Sequence, residues 1–220
     1  DSATFTVSGT CNEATETVVI KVDGIAATSP SGFICDGTNF TGTIDTTGLS
    51  EAAHAYTAEL TDAGSNTGTS STNTITKDIT APTVALVTPA NLSTIGMAED
   101  SATFAVSGTC NENTQTVSIE IDAAAASSQT GFVCDGTNFT GTIDTTGLAD
   151  ATYAFTAIIT DIAGNESTSS TNSIEKDATA PTVAITTPVD SSYINIATDS
   201  ATFTVSGTCN EATETVVIKV

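Results

Sequence analysis

The chain contains no arginine and no tryptophan, one methionine, one histidine and only four lysines among its 220 residues. Each shortage removes a class of function. Four lysines against 26 aspartates and glutamates leave a net charge of -22, so the cations that phosphate contacts require are missing and nucleic acid is not expected as a partner. An anionic membrane surface is excluded on the same ground. No apolar run approaches the roughly 18 residues needed to cross a bilayer, so no membrane insertion is expected. Helical periodicity is also absent. What the chain does have is a hydrophobic content of 39% arranged in long alternating segments. That supplies enough apolar surface to bury, and argues for folded domains despite the charge.

The other abundant feature is repetition. The segment DSATFTVSGTCNEATETVVIKV occupies residues 1–22 and recurs letter for letter at 199–220. A third copy, DSATFAVSGTCNENTQTVSIEI, begins at Asp100 and matches at 16 of 22 positions. The period is therefore 99 residues, and the chain reads as two periods plus a 22-residue stub of a longer array. The expected domains are 1–77, a repeat lacking its first strand; 78–176, a complete repeat; and 177–220, the first strands of a third.

Within a repeat, strict alternation over Ser101–Cys110 puts Ala102, Phe104, Val106 and Cys110 on one face, as in a half-buried strand. Thr116–Asp122 repeats the pattern with Val117, Ile119 and Ile121 inward. Phe132 and Cys134 share a face, and Asp135-Gly136 is expected to make a tight hairpin into a strand carrying Phe139, Gly141 and Ile143. Further strands are expected over Tyr153–Thr160, Glu166–Ile174 and Pro181–Pro188. About seven strands per period, with turn signals between them, predict an all-β fold of tandem antiparallel immunoglobulin-like β-sandwich repeats.

The phrases DITAPTVALVTP at 78–89 and DATAPTVAITTP at 177–188, with TDIAGN at 160–165, carry a family likeness. They resemble the linker, first strand and penultimate turn of bacterial immunoglobulin-like repeats. The first copy departs from the pattern, reading TDAGSN at 61–66 and carrying His54 where the second has Tyr153. The resemblance implies stalks of large secreted adhesins and cell-surface fibres.

Cysteines at 11, 35, 110, 134 and 209 are spaced 24 apart within each repeat. Two thiols with no histidine or third cysteine nearby make no tetrahedral metal site. The spacing therefore predicts disulfides Cys11 to Cys35 and Cys110 to Cys134, with the partner of Cys209 expected beyond residue 220. Disulfides imply an oxidising compartment, outside the cell or reached through a periplasm.

Carboxylates collect where consecutive immunoglobulin-like domains are expected to meet. Asp23, Glu51, Asp78 and Glu112 would gather at the first joint, and Asp122, Asp150, Asp177 and Glu211 at the second. Clustered hard oxygen ligands suit Ca²⁺, and related bacterial arrays are rigidified in this way. The competing reading is a solvated, self-repelling acidic surface. The sequence leaves both open.

For catalysis little is present. His54 has Tyr153 as its counterpart, so no Ser-His-Asp or Cys-His arrangement recurs, and the acidic pairs fall at loop ends. No enzyme is expected; His54 reads as a core-edge residue standing in for a corner tyrosine. The leading expectation is a structural stalk or filament whose partners are neighbouring repeats and, through self-association into a fibre, other copies. The alternative is an adhesive module recognising a glycan or surface receptor. Binding faces favour Tyr, Trp and Arg, and three tyrosines with neither of the others tilt the balance towards a stalk.

Overall fold

The structure is a computed structural model that describes every residue except Asp1, Ala3, Thr213 and Val220. Two compact units are present, Asp1–Pro82 with Thr160–Glu166, and Thr83–Ile159 with Ser167–Val220. All regular elements among the described residues are strands, and no helix is long and apolar enough to cross a membrane.

The first unit contains β1 (Phe5–Thr10), β2 (Val18–Val22), β3 (Ile25–Ala26), β4 (Asn39–Ile44), β5 (Ala52–Thr61), β6 (Thr67–Thr69) and β7 (Asn73–Lys77). β1 pairs with β4, antiparallel, Phe5 opposite Ile44. The other sheet runs β3-β2-β5-β6, with β7 also on β5. Val18, Ile20 and Val22 alternate inward along β2 and meet Phe33, Phe40, Ile44 and Tyr56. Phe33 and Phe40 pack edge to face, ring centroids 6.2 Å apart, an arrangement favoured by the ring quadrupoles.

The second unit begins with β8 (Val84–Thr88), β9 (Thr94–Gly96), β10 (Phe104–Cys110), β11 (Val117–Ile121), β12 (Ala124–Ala125) and β13 (Asn138–Ile143). It continues with β14 (Ala151–Thr160), β15 (Glu166–Thr168), β16 (Asn172–Asp177), β17 (Val183–Thr187) and β18 (Ser206–Cys209). One sheet is β13-β10-β8; the facing sheet is β12-β11-β14-β16-β9, with β15 on β14. Between them Val106, Ile119, Phe139, Phe155, Ile159 and Ile174 are fully buried. This is the antiparallel sandwich that period-2 patterning dictates.

The segment before β10 serves both layers. β8 pairs antiparallel with β10, while β9 pairs parallel with β16 and buries Ile95 completely. Two sheets share one covering segment. The close pairing of β8 requires glycine at 108, where an added Cβ would stand 2.0 Å from the Ala85 carbonyl oxygen. β17 pairs with β18 in the corresponding register, Val183 opposite Cys209, and both remain exposed.

The expected Asp135-Gly136 hairpin is a turn without a ladder on its first side. Thr130 bridges to Thr142 of β13, whereas Val133 bridges to Thr116 beside β11, so the chain crosses from one sheet to the other before the turn. Asp135 then closes the turn by accepting from the Thr137 and Asn138 amides at 2.9 and 2.7 Å. Gly136 takes the positive φ of 95°.

Cys134 lies at that crossing and is bonded to Cys110 at the end of β10; Cys35 is bonded to Cys11 in the same way. Cys35 and Cys134 are each 1% exposed. Each bridge pins a chain crossing that has little backbone pairing of its own. Loop-closure entropy for about 24 residues gives ~3–4 kcal/mol per bridge. Replacing Cys110 and Cys134 together by serine is expected to lower the urea-unfolding free energy of the second unit by about that amount. An unchanged midpoint would show that packing alone holds the crossing.

Candidate functional site

The side chains singled out by sequence, together with a few it passed over, sit at turns, corners and chain crossings. Their shared chemistry is the satisfaction of backbone groups that the sheets leave unpaired.

Asp23 and Asp122, expected as metal ligands, occupy the two-residue turns joining β2 to β3 and β11 to β12. Asp23-Gly24 has φ of 52° and 80°, and Asp122-Ala123 has 51° and 62°. These are the left-handed values that two-residue hairpin turns demand and that Asp-Gly supplies. Each aspartate also accepts the amide of the neighbouring long strand at 2.8 Å, from Ala55 and from Ala154. The Asp-Gly pair following an alternating run at 18–22 was the sequence signal for this role.

The linker carboxylates come together in pairs around a threonine. Glu51 accepts the Thr80 hydroxyl at 2.6 Å, and Asp78 accepts the Thr80 amide at 3.1 Å. In the second unit Asp150 accepts the Thr179 hydroxyl and, at 2.9 Å, the Ala178 amide, while Asp177 accepts the Thr179 amide at 3.3 Å. These contacts hold Asp150 below the ordinary carboxylate range, the Ala178 amide contributing most and the Thr179 hydroxyl next. Glu112 and Glu211 each offer a backbone carbonyl, to the Gln115 amide and to the Cys209 thiol.

Ca²⁺ asks for six to eight oxygen ligands converging on one point. Among the described residues no three His, Cys, Asp or Glu side chains gather as a metal site.

His54 occupies the corner that Tyr153 occupies in the next repeat. The Tyr153 hydroxyl donates to the Ala149 carbonyl at 2.9 Å; His54 Nε2 meets the Ser50 carbonyl at 2.9 Å, and its Nδ1 meets Asp23 Oδ2 at 2.6 Å. Both ring nitrogens face acceptors, so only the imidazolium donates to both. Its pKa is accordingly raised, by Asp23 first and the Ser50 carbonyl second, against the opposing effect of burial. Asp23 is held below the ordinary carboxylate range, chiefly by His54 and then by the Ala55 amide.

The penultimate turns close alike in spite of their different sequences. Asp62 accepts the Asn66 amide at 2.8 Å and Asp161 accepts the Asn165 amide at 2.8 Å. The left-handed position is filled by Ser65, φ 66°, in one and by Gly164, φ 91°, in the other. Asn165 also donates to the Asp78 carbonyl at 3.2 Å within the first unit.

Sequence reasoning missed the lysines. Lys176, 3% exposed, donates to the Thr145 and Leu148 carbonyls at 2.8 Å each and pairs with Asp100 at 2.9 Å. Lys77 likewise donates to the Thr46 and Leu49 carbonyls, at 3.0 and 2.8 Å. Two of only four lysines stand 99 positions apart, and that recurrence was a readable signal. Cys209 is exposed, and its expected partner lies beyond residue 220.

No protein-family model matches the chain, and no curated protein does. Among solved structures it is similar to the fibronectin(III)-like modules of Clostridium thermocellum CbhA, at 12% identity and a TM-score of 0.44, over 79% of this chain and 85% of that one. A second similar structure is a Ca²⁺-stabilized adhesin that helps an Antarctic bacterium reach out and bind ice. It has 26% identity and a TM-score of 0.41, over 83% of this chain and 46% of that one. A third is a 1.5-MDa bacterial ice-binding adhesin, at 22% identity and a TM-score of 0.36, over 79% and 58%. The sandwich assignment rests on the sheets of the chain itself.

Two measurements test these roles. A group whose folded pKa is raised contributes stability that is complete below its unfolded value, 6.5 for His54, and is lost as pH rises through the folded value. Asp23 contributes in the opposite sense, above its unfolded value of 3.8. The first unit should therefore lose stability as pH climbs above 6.5. His54→Tyr, which restores the corner of the other repeat, is expected to flatten that slope in unfolding measured from pH 6 to pH 9, and an identical slope in both proteins would refute the assignment. Lys176→Met should strand the Leu148 carbonyl and remove the cation paired with Asp100, while the Thr145 carbonyl keeps the Leu148 amide and Asp100 keeps the Thr145 hydroxyl. The second unit is then expected to unfold at lower urea than in the wild type, and an unshifted midpoint would make the lysine dispensable.

Proposed function

We propose that this chain is a structural segment of an extracellular bacterial repeat protein, a stalk or filament whose role is length, stiffness and resistance to unfolding. One observation carries the reading: the chemically distinctive side chains that recur between repeats all close structure. The disulfides pin chain crossings, the aspartates close turns, the lysines gather loop carbonyls, and His54 and Tyr153 tie the corners. Each group thus has its partner inside the fold, which is how a load-resisting module uses polar chemistry. Two disulfides further support an oxidising, extracellular setting. Repetition of one module supports self-association into a fibre at the cell surface.

Each sandwich in such an array adds on the order of 30–40 Å, since strands of about ten residues rise ~3.3 Å per residue. Electron microscopy of the purified chain is expected to show rods or fibres, and its repeats should give no signal on a glycan array. Specific glycan binding would move the chain to the adhesive class. Because Glu51, Asp78, Asp150 and Asp177 are engaged by hydroxyls and amides, thermal unfolding with calcium and with chelator is expected to give the same midpoint. A midpoint raised by calcium would instead place the ion at the acidic joints.

A further inference from the structure

The loops after β3 and β12 follow one backbone path and part company at one side chain. Ser29 and Ser128 take φ of 49° and 53°, and Gly32 and Gly131 take 91° and 93°. The Ala27 and Ala126 amides donate to the Ile20 and Ile119 carbonyls at 2.8 and 2.9 Å. The Val18 and Val117 amides donate to the Phe33 and Phe132 carbonyls at 2.8 Å in both repeats. Between these two contacts the edge of each sheet is left open at a single residue, Ile20 in β2 and Ile119 in β11.

In the second repeat Gln129 fills the opening. Its Oε1 accepts the Ile119 amide at 2.7 Å, and its Nε2 donates to the Ile119 carbonyl at 3.0 Å. The residue 99 positions earlier is Pro30, whose side chain holds neither donor nor acceptor. The Asp23 amide donates to Ala55 beside β5, so by antiparallel alternation Val19 and Lys21 face β5 while Val18, Ile20 and Val22 turn their amides to the opposite edge. There Val18 reaches Phe33, and Val22 lies opposite Ile25 of β3. Among the described residues nothing accepts the Ile20 amide, although Ile20 is only 3% exposed. A cavity of about 240 Å³ opens beside it, walled by Val18, Ala27, Pro30, Phe33 and Ile34.

We propose that this cavity is a binding site for an aliphatic primary carboxamide, held by the Ile20 amide and carbonyl as Ile119 holds Gln129. The second repeat carries its own ligand as a side chain, and the first presents the same backbone to a ligand from outside. Binding supplies an acceptor to a buried amide that otherwise has none, which is where a hydrogen bond counts most. The apolar walls take the stem of the ligand, as they would the methylenes of a glutamine.

The donor and acceptor pattern selects that class. Ile20 asks for an acceptor and, at the second lone pair of a carbonyl already bonded to Ala27, a donor, and both must come from neighbouring atoms. A primary carboxamide has its oxygen and one N–H on the same side. A trans N-substituted amide turns its N–H away from its oxygen, so a peptide bond or an acetamido group offers one or the other. A carboxylate would set its charge against the Ile20 carbonyl at a cost in desolvation. Ammonium and guanidinium groups have no acceptor for the amide. Two sources carry the fitting chemistry, a free small amide and the side chain of a glutamine in another polypeptide.

Amide-resolved NMR of the full chain tests the site. In wild type the Ile20 amide is expected to exchange with solvent faster than that of Ile119. Propionamide, the glutamine side chain as a free molecule, should shift the Ile20 resonance saturably, whereas N-methylpropionamide and propionate should not. Pro30→Gln builds the plug of the second repeat into the first. Its Ile20 amide should exchange as slowly as that of Ile119, and propionamide should bind it about tenfold more weakly or less. Acetyl-Ala-Gln-Ala N-methylamide separates the two sources: binding of this peptide makes a glutamine side chain the ligand, and binding of propionamide alone makes it a free amide. The site is overturned by the absence of a saturable shift with either probe, by equal shifts from all three small molecules, or by undiminished binding to Pro30→Gln. A wild-type Ile20 amide that already exchanges as slowly as Ile119 would overturn it too, the opening then being closed by a bound water or from within the chain.

Discussion

The second sandwich depends on the segment that precedes its first full strand. In the second repeat, residues 83–96 cross from one sheet to the other and bury Ile95 between them. With few aromatics available, the core is built from Val, Ile, Ala and a handful of Phe. Such a core gains much of its buried area from the covering strand, so a linker between repeats is also part of a fold. That dual duty ties the position of one repeat in the sequence to the completeness of the next.

The second organising constraint is polar. Sheets with short edge strands and sheet-crossing segments leave carbonyls and amides unpaired at their ends, and a buried unpaired group is costly. This chain meets the need with very few residue types. Aspartates accept amides at turns, threonines share their hydroxyls with linker carboxylates, and Lys77 and Lys176 collect carbonyls. Among the described residues no buried side-chain nitrogen or oxygen lacks a partner. The strongly acidic composition therefore does two things at once, closing loops with some carboxylates and surrounding the chain with a negative field through the rest.

Much of the fold was legible because β-structure writes itself with a period of two. The inward sets Val106, Cys110 and Val117, Ile119, Ile121 followed directly from alternation, and the 24-residue cysteine spacing matched the two observed bridges. The corner role of His54 was readable from its alignment with Tyr153. Less legible was anything requiring the third dimension. Phe132 and Cys134 lie on a segment that switches sheets instead of forming a hairpin arm, because Val133 bridges towards β11 while Thr130 bridges to β13. Asp23 and Asp122, assigned to joints from the expected strand order, also close two-residue turns and accept amides of the long strands, which the strand order did not show.

By itself, the sequence determined the repeating unit, the all-β class and the disulfide spacing, since composition, period and alternation are local properties of the chain. The tertiary structure decided which carboxylates meet, which lysine is buried among carbonyls and which sheets the segment at 84–96 joins. Those outcomes depend on residues tens of positions apart arriving at hydrogen-bonding distance, as Lys176 does with Thr145 and Asn172 with Pro89. Only the crossing of two twisted sheets sets those distances, so no periodicity in the chain encodes them.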